Sequence, residues 1–373
     1  MKFSVSSSEL LKVLQIASGS IASNPVLHIL EDFLFSLKGD QLTISASDLE
    51  TSIITHVEVM GADTDGLVAV PARILVDTLK ALPQQPITFS VNPDNHAVEI
   101  TSAYGKYRLA GENGDDFPKI PEPDAVDTVT IPGDVLTRAI NRTLFATSND
   151  ELRPAMTGVY FQVDFGKLTL VATDAHKLVR YTYQELDSTV STSFIVPKKA
   201  LNLLKSALRE DDKVELSFNK TNAFFAFGDT KLVCRLIDAR YPDYNAVIPV
   251  DNPNNLTIVR NDFQQSLRRI AIYANKTTNQ VVLQIADGSL TISAQDLDFS
   301  NEATEQLSCS YDGQEQIKIG FNAKFLIEML SVLESEEVRI ELSTPTRAGI
   351  LLPIDEQEKE DILMLVMPVM LSN

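Results

Sequence analysis

The chain repeats itself three times, and this constrains its fold more than any single residue does. Leu42–Glu50 (LTISASDLE), Leu168–Leu178 (LTLVATDAHKL) and Leu290–Asp298 (LTISAQDLD) align so that Asp48, Asp174 and Asp296 share one position. A second marker starts at Val70 (VPARILVDTLKAL), Val196 (VPKKALNLLKSAL) and Phe321 (FNAKFLIEMLSVL). A third is the pair Phe117-Pro118, Tyr241-Pro242 and Met367-Pro368. All three agree on a period near one third of the 373 residues, and a fixed period means a repeated structural unit. That length exceeds what one core usually serves, which fits three domains, placed here at 1–125, 126–252 and 253–373.

Each repeat is itself doubled: a short strand leads into an amphipathic helix and then into alternating strands, twice. The six helices are expected at Ser8–Ser18, Ala72–Leu82, Gly133–Leu144, Lys198–Leu208, Asp262–Tyr273 and Ala323–Leu333. Leu75, Leu79 and Leu82 recur at i, i+4 and i+7, which gives one apolar face. Pro71, Pro132 and Pro197 stand at helix starts, where a missing N–H costs nothing. Between helices, segments such as FLFSLKG and SIITHVEV alternate with period two, as half-buried antiparallel strands do. Gly111–Asp127 and Asp238–Asn255, rich in Pro, Asp and Asn, read as inter-domain linkers. The fold class is therefore α+β: three similar domains, each with two helices packed on antiparallel sheet.

Charge is segregated along this pattern. The chain carries −19 overall, which by itself would repel nucleic acid. Yet the six expected helices hold eleven Lys or Arg against five Asp or Glu, so everything else carries −25. Lys and Arg are good helix formers whose stems cover apolar surface, which is one explanation. Glu is an equally good former and is scarce here, so the other explanation is a basic helical surface facing a polyanion. Lysines and arginines on phosphates hold DNA without reading its sequence. The N-terminus has no signal-peptide region, ILMLVMPVML is too short to span a bilayer, and two cysteines make no disulfide framework. The expectation is a soluble cytoplasmic protein with no membrane partner.

The triple repeat, VATDAHKL in the middle unit, YPDYNAVIP after it and the ending LVMPVMLSN together resemble the bacterial DNA polymerase sliding clamp, the beta subunit of the replicative polymerase. The resemblance spans the whole chain. It implies the DNA clamp fold: three-domain protomers joined head to tail as a homodimeric ring, with helices lining the hole and continuous sheet outside. It further implies a non-catalytic role, tethering the polymerase to duplex DNA, near the nucleoid. Candidate DNA-facing residues are Arg73, Lys80, Arg138, Arg142, Lys198, Lys199, Lys205, Arg268 and Arg269. The dimer contact would bring Tyr107 and Leu109 against Ile272 and Tyr273. Clamps also receive short linear peptides from polymerase, ATP-dependent clamp loader and repair proteins in an apolar pocket. By motif, that pocket here comprises Arg153, Met156, Thr173, Ala175, His176, Lys177, Leu178, Pro242, Val247, Leu365, Met367, Pro368, Val369 and Leu371. Ala246 and Met370 stand where many relatives carry a basic residue, so its rim should be less basic.

The repeat also marks an asymmetry. The first corner reads SDLET and the third QDLDF, while only the middle one carries Ala175, His176 and Lys177. Asp174 beside His176 could orient an imidazole as a general base. No nucleophile motif, phosphate loop, HExxH or clustered metal ligands accompany them, so no catalytic residue, metal or cofactor is assigned. A repeat scaffold that binds peptides without encircling DNA is the remaining alternative.

Overall fold

The computed structural model describes residues 1–123, 127–355 and 358–371. The 125/126 domain boundary and the last two residues of the third domain lie outside the described residues. Among the described residues, six strand–helix modules recur. The strands Lys2–Ser6, Gly66–Pro71, Asp127–Pro132, Thr192–Pro197, Asn254–Val259 and Ile317–Asn322 run directly into α1 (Ser7–Ala17), α2 (Ala72–Ala81), α3 (Gly133–Thr143), α4 (Lys198–Ala207), α5 (Arg260–Ile270) and α6 (Ala323–Ser331). The prolines at 71, 132 and 197 are the last residues of their strands, just ahead of the first helical turn.

Two details of the helix expectation change. α2 buries Ala72, Leu75, Val76 and Leu79, but Leu82 lies beyond its end in an extended conformation. Pro83 follows it, and the residue before proline is pushed out of the helical region. α5 starts two residues earlier than expected, at Arg260, whose guanidinium donates to the Ser335 and Leu330 carbonyls. Ends also tighten: Ser18–Ser20, Leu144–Ala146 and Ala271–Tyr273 are 3-10 turns continuing α1, α3 and α5. No described helix is long and apolar enough to cross a membrane.

The chain forms two compact units, Met1–Thr137 with Lys199–Leu236, and Arg138–Lys198 with Ile237–Asn373. In the first, a four-stranded antiparallel sheet runs in the order Lys2–Ser6, Pro86–Val91, Val98–Thr101, Lys106–Leu109. Its nine-stranded sheet joins repeats: Thr230–Arg235 pairs with Thr51–Glu58, Cys234 opposite Thr51. α1 packs on Gln41–Ser47 and Thr51–Glu58 and against α2, burying Leu10 and Leu14 completely. Phe3 and Phe89 stack beneath at 5.0 Å between ring centroids.

The second unit repeats this plan. Its nine-stranded sheet is joined where Lys177–Leu186 pairs with Glu360–Val366, Leu178 opposite Leu365. Its four-stranded sheet runs Asn301–Ser308, Ser289–Asp296, Gln280–Ala286, Ile317–Asn322. α5 packs against α6, burying Phe263, Leu267, Leu326 and Met329. The two compact units differ from a division by repeat because strands of successive repeats hydrogen-bond into one sheet.

Candidate functional site

The unusual middle corner is built by its own short side chains. Between the strands Gly166–Thr173 and Lys177–Leu186, Asp174 Oδ1 accepts the backbone N–H groups of His176 and Lys177, both at 2.9 Å. Thr173 Oγ1 donates to the Lys177 carbonyl at 2.7 Å and accepts the Ala175 N–H at 3.1 Å. Ala175 is held left-handed, at φ 76°. The first corner has the same plan: Asp48 Oδ1 accepts from Glu50 and Thr51, Ser47 Oγ from Leu49, and Leu49 also has φ 76°. Asp174 is thus a turn-forming aspartate whose Oδ1 serves the backbone. The His176 ring lies over Phe325 of α6 instead, centroids 6.3 Å apart and planes 21° from parallel. An acid–imidazole dyad is not what this corner builds.

Beside the corner lies an apolar cluster in which Val171, Leu178, Ile195, Tyr241, Tyr244, Ala348, Ile350 and Leu365 are buried together. Tyr241 donates to the Val171 carbonyl at 3.2 Å and stacks on Tyr160 at 4.5 Å. Burial raises its hydroxyl above the usual tyrosine range, keeping it a donor. Tyr244 donates to Gln162 Oε1. These two anchors pin the segment that carries Pro242 and Val247, and leave both exposed, Val247 at 56%. On another side, Ala155 packs on the cluster, Met156 is half-buried, and Arg153 is exposed and paired with Asp150 at 2.8 Å.

The C-terminal residues pass from the corner to a sheet edge. Met367 N–H donates to the His176 carbonyl at 2.9 Å, and Val369 N–H to the Gly320 carbonyl at 2.8 Å. A Cβ on Gly320 would sit 2.6 Å from the Val369 carbonyl oxygen, so only glycine allows this approach. The structure therefore gathers Leu178 and Leu365 in the cluster and Met367 at the corner, and sets Pro368, Val369 and Leu371 along the strand Ile317–Asn322. Met367 remains 41% exposed and Met370 69%. Lys177 is 6% exposed, its ammonium 2.8 Å from Glu328 Oε2 and 4.4 Å from the Phe325 ring centroid. Phe325 and Glu328 escaped the sequence reading. The signal was available: α6 buries Ala323, Leu326, Met329 and Leu330, and Phe325 is an aromatic off that stripe.

The basic helix residues divide into free-standing and engaged groups. Arg73, Lys80, Lys205 and Arg268 are exposed. Lys199 is exposed but ion-paired with Asp48, and Lys198 donates to Asn149 Oδ1 at 3.2 Å. Arg269 makes a two-pronged pair with Glu305 at 2.7 and 2.6 Å. Arg138 and Arg142 both turn onto the buried Glu360, Arg138 at 3.0 and 2.7 Å and Arg142 at 3.0 Å. The expected dimer residues differ in exposure: Leu109 is buried in the core of its own sheet, while Tyr107 is only half-buried. Tyr107 and Leu109 sit on Lys106–Leu109, the edge strand of the first unit's four-stranded sheet. Ile272 and Tyr273 are 66% and 43% exposed after α5. Among the described residues no group of three or more His, Cys, Asp or Glu is arranged to hold a metal.

Comparison with known proteins gives this arrangement a family. Models of the N-terminal, central and C-terminal domains of the DNA polymerase III beta subunit match residues 1–121, 130–243 and 245–370. The Beta sliding clamp of Vibrio cholerae is 29% identical over 372 residues, and that of Escherichia coli K12 28% over 372 residues, in both cases across all of each chain. Among solved structures, the DNA polymerase III subunit beta of Pseudomonas aeruginosa matches with a TM-score of 0.94 at 28% identity. That of Thermotoga maritima matches at 0.91 and 25%, and both comparisons cover 100% of each chain. Matched in order by all three domain models, the chain belongs to the DNA polymerase III beta subunit family, the sliding clamps, which are non-catalytic processivity factors of DNA replication.

Proposed function

We propose that two copies of this chain close head to tail into a ring around duplex DNA and tether the replicative polymerase to it, with the three repeats as its domains at 1–125, 126–252 and 253–373. The observation that carries this is the pairing of strands between repeats. The strand after the first corner pairs with the last strand of repeat two, and the strand after the second corner with the last strand of repeat three. The same rule leaves two strands paired on one side only: Asn301–Ser308 after the third corner, and Lys106–Leu109, the last strand of repeat one's four-stranded sheet. Each is the open edge of a four-stranded sheet. Pairing them between two copies would complete the pattern and leave none of these edges open. Lys106 and Arg108, both paired with Glu99, put positive charge on one of these edges and Glu302 puts negative charge on the other, beside which lie Ile272 and Tyr273.

A closed ring needs little affinity, because topology retains it. Exposed Arg73, Lys80, Lys205 and Arg268 supply a weak, sequence-blind attraction to phosphates. The cluster beside His176, rimmed by Pro242, Val247 and Met367, is the site for short peptides with bulky apolar side chains. Polymerase, clamp loader and repair proteins would present these, in the cytoplasm on the nucleoid. Methionines there suit a site that adapts to several partners.

Light scattering at micromolar concentration, followed by loading onto nicked circular DNA, tests the reading. A dimer retained on the circle and lost after linearisation is expected. A monomer, or equal retention on linear DNA, would leave only a peptide-binding scaffold.

A further inference from the structure

Lys177 lies within the peptide motif, yet its side chain is 6% exposed and is engaged by the protein itself. Its ammonium lies between two carboxylates, Glu328 Oε2 at 2.8 Å and Asp174 Oδ2 at 3.3 Å, and above the Phe325 ring at 4.4 Å. Glu328 and Phe325 belong to α6, in the third repeat; Asp174 and Lys177 belong to the corner, in the second. One ammonium therefore ties the corner to α6. Phe325 is also the ring on which His176 stacks, so this tie fixes the partner of the one exposed imidazole on the site.

The first corner is also ion-paired to a helix of the next repeat, with the signs exchanged. There the acid, Asp48, is on the corner and the base, Lys199, is on α4, the second helix of the next repeat. In the middle corner the base is on the corner and the acid on α6, again the second helix of the next repeat. The two pairs use different positions, since Lys199 aligns with Lys324 and Glu328 with Leu203, yet each ties a corner to the second helix of the next repeat and so sets the corner against that helix. In the middle copy that position decides where His176 and Phe325 stand.

We infer that Lys177 is a positioning residue for the peptide site: with Glu328 and Asp174 it sets the His176–Phe325 wall and does not itself contact the peptide. The inference rests on the peptide-site reading above. A buried ammonium between two carboxylates and a ring face has one favourable place, whereas apolar contacts alone would let the corner slide.

The test reads the wall and the binding separately. The chain has four histidines, so His176→Asn identifies the His176 ring signals in a proton NMR spectrum of the whole dimer. In the wild type these should be displaced by the Phe325 ring current. Lys177→Met keeps the stem and removes the charge; the His176 signals should return toward unstacked values. Affinity for the immobilised catalytic subunit of the cognate polymerase should fall about tenfold, while the dimer persists. Lys177→Arg should restore both. Glu328→Gln, at a more exposed residue, should move both in the same direction by less, and it decides the matter if Lys177→Met does not fold. Unmoved His176 signals in Lys177→Met, with or without lost affinity, would overturn the inference. If the wild type fails to bind the polymerase, the peptide-site reading fails while the NMR shift still reports on the tie.

Discussion

Asp32 is 2% exposed, and its Oδ2 finds no donor among the described residues. Burial, and then the negative Glu112 and Glu31, push its carboxyl up to about 7, with His28 pulling the other way. The folded chain therefore holds a proton that the unfolded chain, at 3.8, gives up. Stability from this group is full below about pH 4, declines as pH rises toward 7 and is level above that. Asp32→Asn should exceed the wild type by on the order of 4 kcal/mol near pH 8, and the gain should shrink to nothing near pH 4. Urea melts of both proteins across that range check it; a gain independent of pH would reject the titration. Asp174 shows a different lesson at the same scale. The repeat identifies it as a corner residue, while its work as a turn acceptor needed coordinates.

Among the elements, α3 is fastened to the strand Glu360–Val366 by three hydrogen bonds onto one buried carboxylate. Glu360→Ala would leave Arg142 short of a counter-charge in a half-buried site and remove one partner of Arg138. We expect a loss of roughly 3–5 kcal/mol by chemical denaturation. A smaller loss, under about 1 kcal/mol, would mean that water replaces the carboxylate. The turn that follows α5 gives a second expectation. Ile272 is 66% exposed, so Ile272→Asp should leave the protomer's melting temperature nearly unchanged. It should raise the dimer dissociation constant at least about a hundredfold, by burying a charge in an apolar contact. Light scattering on dilution reads this directly, and an unaltered dimer would place the interface elsewhere.

For the whole molecule, the expected interaction with DNA is weak at equilibrium and persistent in topology. Affinity for a linear duplex should fall with salt, with a slope of about −0.9 per phosphate neutralised. Lys80→Glu with Lys205→Glu should lower both affinity and slope. Arg138 and Arg142, engaged by Glu360, should contribute little to that slope. Retention on closed circular DNA should survive salt that abolishes binding to the linear duplex. Titrations at several salt concentrations, beside retention on circular DNA, measure the two effects independently.

The repeat, the six strand–helix modules and the basic character of the helices follow from the sequence, because periodicity reports which face of an element is apolar and copies report what recurs. Leu178 and Leu365 could be assigned to one site from their motifs, and they lie opposite each other on paired strands. Partners across long separations could not be read in this way. Glu360 meets Arg138 from 222 residues away, and Lys177 meets Glu328 from 151. A charged residue on a helix looks the same in sequence whether it faces solvent or a buried carboxylate. Which one it meets depends on how strands of successive repeats join into one sheet, and only the tertiary structure decides that.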